Sequence, residues 1–389
     1  MMSGQNIVCF ANDWDSDPTS KHQIMKILAR SNRVLWVNSI GLRRPEATAH
    51  DASRIMAKVK KFCRGAVPIT PNLHVLTPLA IPFHDVPGVP TANAWLLSRY
   101  IRHHARRLGM DRFQMWTFMP TTAPLVPYLK PDKLIYYCVD EWSAFTFLNS
   151  QLMEQMEQSL IRQSDLVIAS AEKLYATKRH LNPETHLVSH GVDSEHFAKA
   201  QAASTEVAVE LRQTKHPVIG FWGLIGEWID LDLIRYMAER RPDWSIALIG
   251  KADVSCAVLK GLPNVHLVCS RSYESLPGFA KGFAAAILPF KVNRLTENVN
   301  PIKLREYLAA GLPVVSTALP EVKQYDGVVR IGHTRDEFVE QVAAAVRETG
   351  PAAVRKRMDA VSHESWDARV EHISRLVEQC RPASRSIQA

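Results

Sequence analysis

Cysteine is sparse and unpatterned in this chain. Its six cysteines (Cys9, Cys63, Cys138, Cys256, Cys269, Cys380) show no C-x-x-C spacing, and several lie in apolar, strand-like runs. That argues against a disulfide framework or a thiolate zinc site and for buried thiols. Apolar runs longer than a strand are also missing, so no membrane-spanning helix is expected. The N-terminus, MMSGQNIVCF, enters a strand without the basic region, long apolar segment and cleavage site of a leader, which points to a cytoplasmic protein. No RNP, zinc-finger or helix-turn-helix pattern accompanies the net charge of +8, so no nucleic-acid partner is expected. Low-complexity tracts and internal repeats are absent as well. What is there is a globular composition, 46% hydrophobic and 22% charged, over 389 residues. That length suits two domains of about 180 to 200 residues, each able to bury a core.

The stretch NVNPIKLREYLAAGLPVVST, from Asn298 to Thr317, reads as helix, stop, buried strand. Asn300 is a good N-cap and Pro301 a good first helical residue, since proline lacks the N–H that would be orphaned there. Gly311 suits the left-handed position that ends the helix, Pro313 forbids continuation, and Val314 to Thr317 is a short β-branched strand. Lys303 and Glu306 fall near one face of the helix start, where free N–H groups attract anions such as a diphosphate. An ordinary amphipathic helix with a solvent-exposed Lys-Glu pair is the plainer alternative.

Elsewhere the alternation of apolar strands with helical segments predicts α/β architecture: two Rossmann-like domains. The first domain is expected over 1–200, with strands at Asn6 to Ala11, Arg33 to Asn38, Phe113 to Phe118, Lys133 to Val139, Leu166 to Ser170 and His186 to Ser189. The second is expected over 216–362, with strands at Val218 to Trp222, Ser245 to Gly250, Val265 to Cys269, Ala284 to Leu288 and Val314 to Thr317. A final helical segment and tail occupy 363–389. Between the first two strands lies the polar loop Asn12 to Thr19, with Asp17 as expected cap and Pro18 in the first turn of the helix that follows. Ligands bind off the carboxyl ends of strands in open parallel sheets, which makes Asp13, Asp140 and Glu141 candidates to face a ligand. An acidic residue there can cap a helix or take a proton from a hydroxyl. Asp13-Trp14-Asp15 also matches a loose D-x-D metal pattern, but three residues carry little specificity and no metal is expected. Two basic segments, Arg54 to Arg64 and Trp95 to Arg107, mix cationic with aromatic and aliphatic residues at helical spacing. They could face anionic lipid or simply be surface helices.

The segment Pro301, Lys303, Glu306, Tyr307, Ala309, Ala310, Gly311, Pro313, Val314, Val315 resembles the donor-sugar signature of GT-B glycosyltransferases, particularly family 4-like enzymes. The start of the chain resembles surface-polysaccharide transferases of the teichuronic-acid type, in Asp13, Trp14, Pro18, Lys21, His22 and Gln23 and then Trp36, Asn38, Ser39, Gly41, Arg43 and Pro45. His190-Gly191-Val192-Asp193 resembles the turn that ends the first domain in the same enzymes. The resemblance implies a GT-B fold with two domains facing a central cleft, and a final helix returning across the domain junction. It implies transfer of a sugar, with retention, from an NDP-sugar, most often UDP-linked, to a saccharide or lipid-linked saccharide in cell-surface polysaccharide assembly. No cofactor or metal is implied beyond the nucleotide-sugar. Donor binding would fall to Gly223, Arg294, Asn298, Lys303 and Glu306, and catalysis to Lys303 with Asp140 or Asp13. The chain departs from the wider family near Gly223, where the usual Arg and Lys are absent, and has Asn298 where a Glu-x7-Glu motif would need glutamate. A UDP-sugar epimerase of the same architecture and a non-catalytic partner subunit therefore stand as alternatives.

Overall fold

The computed structural model describes residues 1–16, 18–40, 49–80 and 88–381, with backbone alone at 49–55 and 89–90. Gly41, Arg43 and Pro45 lie outside the described residues, as does Asp17, which is not the cap expected: the helix starts at Ser20 with Thr19 at the cap position, so Pro18 precedes it. The chain divides into two compact units, Met1–Ser189 with Arg369–Ala389, and His190–Ala368.

The first unit is built on a sheet of eight strands: β1 Asn6–Phe10, β2 Arg33–Val37, β3 Ala66–Thr70, β4 Leu73–Leu76, β5 Gln114–Thr117, β6 Lys133–Cys138, β7 Leu166–Ala169 and β8 Thr185–Leu187. Their spatial order is β3-β4-β2-β1-β5-β6-β7-β8. All pairings are parallel except the β3–β4 hairpin. Parallel strands covered on both faces need continuous apolar sequence, and β1 supplies it: Ile7, Val8 and Cys9 are fully buried. Strand β3 was not anticipated because it contains Pro68 and is largely exposed, both properties of an edge strand. From β1 the chain builds outward through β2 to β4 and β3, then crosses back to place β5 on the other side of β1. Order reverses between β1 and β5, the point at which such sheets leave a crevice.

The second unit repeats the plan with six parallel strands: β9 Val218–Trp222, β10 Ser245–Ile249, β11 Val265–Val268, β12 Ala285–Leu288, β13 Val314–Thr317 and β14 Val329–Gly332. The order is β11-β10-β9-β12-β13-β14, which puts its reversal between β9 and β12. Glycine is required inside β9, since a Cβ on Gly220 would lie 1.9 Å from the Phe283 ring. The unit begins at His190, before the expected end of the first domain near 200. Residues 190–201 pack with the second unit: Phe197 is buried in its core and His196 Nε2 lies 2.9 Å from the Tyr273 carbonyl oxygen. From Arg369 the helix Trp366–Gln379 belongs to the first unit, where Lys133 donates to the Val377 carbonyl.

The helix after the β12 loop is Ile302–Ala309, with Pro301 at the cap position, one residue later than expected. Asn300 is not the cap. Its amide donates to Glu321 Oε2 at 2.7 Å, and its Oδ1 accepts from Arg305 Nη1. Arg305 is fully buried, and its Nε donates to Glu364 Oε2 at 2.5 Å; the Tyr325 hydroxyl donates to the same oxygen at 3.0 Å. Gly311 takes φ +78° and stops the helix as anticipated. Removing one partner of a buried ion pair strands the other charge in low dielectric. Glu364→Ala is therefore expected to cost about 3–5 kcal/mol in urea unfolding, and Arg305→Met combined with Glu364→Leu clearly less.

Candidate functional site

At the carboxyl end of β9 the chain turns through Gly223, with φ +137°, and at the end of β10 through Gly250, with φ +152°. Side chains rarely adopt either angle. A Cβ on Gly250 would stand 1.9 Å from the Gly223 carbonyl oxygen, so the two strand-end loops touch only because Gly250 carries no side chain. Lys303 lies against the same turn: a Cβ on Gly223 would meet its Cε at 3.2 Å.

Lys303 Nζ is 3.1 Å from Glu306 Oε2, and that oxygen also accepts from Trp222 Nε1 at 2.8 Å. The backbone N–H of Trp222 donates to the Tyr307 hydroxyl at 3.1 Å. Strand end and helix are thus cross-linked through side chains on both. The Glu306 side chain is only 7% exposed and that of Lys303 27%, which is not the geometry of a solvent-facing pair. Glu306 Oε1 makes no hydrogen bond to a described residue, which leaves one oxygen of a fixed carboxylate to accept from a ligand. Burial, and then the charge of Glu306, pushes the Tyr273 hydroxyl far above its ordinary range. The Tyr273 ring stacks on His196 at 4.4 Å.

Gly223, Lys303 and Glu306, expected to act together, are therefore brought together. Asn298 is buried, with its amide committed to the Arg294 carbonyl at 2.7 Å, so it shapes the loop on which the exposed Arg294 sits. Trp222, Gly250 and Tyr273 were not singled out from sequence. For Trp222 a signal existed, as the last residue of an apolar strand directly before a glycine turn.

In the first unit, Asp13 Oδ1 accepts from the Ser39 N–H at 3.0 Å and from its hydroxyl at 2.9 Å, tying together the loops after β1 and β2. Asp15 pairs instead with Lys61 at 2.6 Å. Among the described residues no group of three or more His, Cys, Asp or Glu side chains is placed to hold a metal ion. Glu141, expected to face a ligand beside Asp140, is turned inward. Lys178 bridges it at 3.0 Å to Glu157 at 2.7 Å, because the buried ammonium needs both carboxylates. Asp140 is half-buried at the end of β6, and its carboxylate makes no hydrogen bond or ion pair to a described residue. Burial raises its pKa, and the nearby charge of Lys21 opposes that rise.

No protein-family model matches the chain. It is 29% identical over 230 residues to TuaH of Bacillus subtilis, a protein assigned by name to glycosyl transfer in teichuronic acid biosynthesis. That match covers 55% of this chain and 57% of TuaH, so the chain spans little more than half the length of the curated relative it matches. Solved structures are similar across nearly the whole length. Sucrose-phosphate synthase from Thermosynechococcus elongatus superposes with a TM-score of 0.71 at 13% identity, covering 96% of this chain and 98% of that one. Anabaena HepE, in complex with UDP and glucose, superposes with a TM-score of 0.69 at 11% identity, covering 97% and 100%. The fold is GT-B, as the resemblance implied.

The helix Ser20–Leu28, which follows the loop after β1, holds a buried histidine. His22 packs between Trp14 and Trp36, with ring centroids 5.1 and 4.7 Å away. Its Nδ1 accepts from the Thr19 N–H at 3.1 Å, and its Nε2 lies 3.1 Å from the Trp14 carbonyl oxygen. Burial lowers its pKa from 6.5 to about 4, with Lys26 and Lys21 adding to the shift. The folded chain holds His22 neutral while the unfolded chain takes up a proton near its ordinary pKa. This contribution is therefore complete above pH 6.5 and is lost as pH falls toward 4. Between pH 7 and 4 the wild type should lose about 3 kcal/mol more stability than His22→Gln, measured by urea unfolding at each pH.

Proposed function

We propose that this chain is a glycosyltransferase that moves a sugar, with retention, from a UDP-sugar to a saccharide or lipid-linked saccharide in cell-surface polysaccharide assembly. The observation that carries the reading is the carboxylate of Glu306, clamped by Trp222 and Lys303 beside the Gly223 turn. Glu306 Oε1 accepts hydrogen bonds from the ribose hydroxyls of the donor. Lys303 and the first N–H groups of the helix Ile302–Ala309 offset the charge that grows on the departing diphosphate, so that no metal is needed. The TuaH assignment and the UDP and glucose held by HepE support a UDP-linked donor. Asp140, whose carboxylate is unengaged, faces the acceptor hydroxyl in the first unit; Asp13 is committed to Ser39 and positions the loop.

The two second-unit residues should fail differently. Glu306→Gln is expected to weaken UDP binding about tenfold by calorimetry. Lys303→Ala should lower turnover by about 10²–10³ while changing UDP affinity much less. Asp140→Asn should slow transfer with UDP affinity intact. Folded Glu306 and Lys303 variants that bind and turn over like wild type would remove this donor site. A UDP-bound epimer formed without any acceptor would point to epimerisation instead.

Association with the inner face of the membrane belongs to the same proposal. Among the described residues no helix is long and apolar enough to cross a membrane. The first unit does expose Met56 and Val59 beside Lys60, and Trp95 and Leu96 beside Arg99, whose guanidinium lies 5.0 Å from the Trp95 ring centroid. Anionic lipid attracts each such cation by about 1 kcal/mol, screened by salt. Co-sedimentation with vesicles containing phosphatidylserine should fall as salt rises, and Trp95→Ala with Arg99→Ala should reduce it. Binding indifferent to anionic lipid would contradict this.

A further inference from the structure

A cavity of about 130 Å³ lies among three elements of the first unit. Leu97 reaches it from the helix Val89–Arg107, Pro124 and Leu125 from the turn Pro120–Leu125, and Leu152, Met153 and Met156 from the helix Ser150–Gln163. No charged side chain is among the described residues that line it. Phe147, which is 68% exposed, and the exposed Asn149 also border it, so the cavity opens to the surface. Close-packed interiors leave few voids larger than a water molecule, and an apolar cavity of nearly this size holds a benzene ring. Hydrocarbon is the matching chemistry, and the two unbranched methionines can adapt to its shape.

One polar group sets a further condition. Thr121 Oγ1 borders the cavity, is buried, and has no hydrogen-bond partner among the described residues. A hydroxyl is costly to leave in that state, so the matching occupant brings an acceptor into an otherwise apolar space. An acyl chain meets both demands, because its ester carbonyl leads directly into methylenes. A prenyl chain is hydrocarbon alone up to its phosphate.

The helix Val89–Arg107 connects this cavity to the surface proposed to meet lipid. Ala94 and Leu97, three residues apart on one face, are buried at the cavity, while Trp95, Leu96 and Arg99 stand exposed. One helix therefore borders both. We infer that the cavity takes the carbonyl end of one acyl chain of an anionic membrane glycerolipid, with the Thr121 hydroxyl donating to the ester carbonyl and Phe147 covering the chain where it leaves. This rests on the membrane association proposed above and names the lipid group that is held.

The test uses the full chain and soluble lysophosphatidates with butanoyl, hexanoyl and decanoyl chains, titrated by NMR below the concentrations at which they form micelles. Each methylene that enters the cavity should tighten binding about fourfold. Hexanoyl is therefore expected to bind at least about tenfold tighter than butanoyl, and decanoyl to add little once the cavity is full. The hexyl ether analogue, which lacks the carbonyl, should bind about fivefold more weakly than the hexanoyl ester, and Thr121→Val should erase that difference. Ala94→Phe and Leu152→Trp, which fill the cavity from two sides, should each abolish the dependence on chain length, with melting curves as the check on folding. Equal binding of butanoyl and hexanoyl probes, a chain-length dependence that survives in the folded filled variants, or farnesyl phosphate binding tighter than the decanoyl probe would each overturn the inference. Trp95→Ala with Arg99→Ala should reduce vesicle binding and leave the response to soluble probes intact. Failure of the membrane reading would therefore show in the vesicles, and failure of this one in the soluble series.

Discussion

Much of the second unit hangs on one carboxylate. Glu306 Oε2 takes both the Trp222 indole N–H and the Lys303 ammonium, so the last residue of β9 and the first turn of the helix Ile302–Ala309 are locked to each other. Charge-assisted hydrogen bonds of this kind are stronger than neutral ones and gain further where water is partly excluded. The lock holds only because the backbone beside it is bare. Gly223 lets the Lys303 stem lie against the turn, and Gly250 lets the β10 loop close on the Gly223 carbonyl. A rigid anion with one free oxygen, next to a cation and a helix start, suits a ligand with hydroxyls at one end and negative charge at the other.

Behind that site the same helix is anchored by charge of a different kind. Arg305 points inward to Glu364 and Asn300, on the opposite side from Lys303 and Glu306, and the network reaches Glu321 and Tyr325. Such a network adds little net stability over apolar packing, but it specifies one arrangement, since any slip of the helix would strand a buried guanidinium. The first unit uses the same device in Lys178, Glu141 and Glu157 beneath the end of β6. There it fixes the chain directly after Asp140, whose carboxylate makes no hydrogen bond or ion pair to a described residue.

Much of this was legible in the amino-acid order. The strands Val218–Trp222 and Val314–Thr317 run as read, and the helix between β12 and β13 stops at Gly311 in the left-handed conformation. These features are local: continuous apolar runs mark parallel strands, and a helix stop is written in one glycine and one proline. The grouping of Lys303 with Glu306 was legible for the same reason, through helical spacing. Edge strand β3 was not, because Pro68 and an exposed face remove the apolar pattern by which strands are recognised.

Partnership through space was decided by tertiary structure. Asn300 has the chemistry of a cap, yet Arg305 and Glu321 claim its side chain, and the helix starts one residue later. Asp140 and Glu141 are indistinguishable neighbours in sequence; a lysine 37 positions further on draws Glu141 inward and not Asp140. Only the folded chain places the Phe118 and Trp142 rings 5.9 and 6.0 Å from the Lys21 ammonium. Sequence by itself determined most of the secondary elements, the α/β architecture and the donor-side spacing, but not β3, β4 or β14, because what it shows depends on residues within a few positions of one another. Which polar groups are satisfied, and which are left to meet a ligand, depends on contacts between distant strand ends, and only the folded chain decides those.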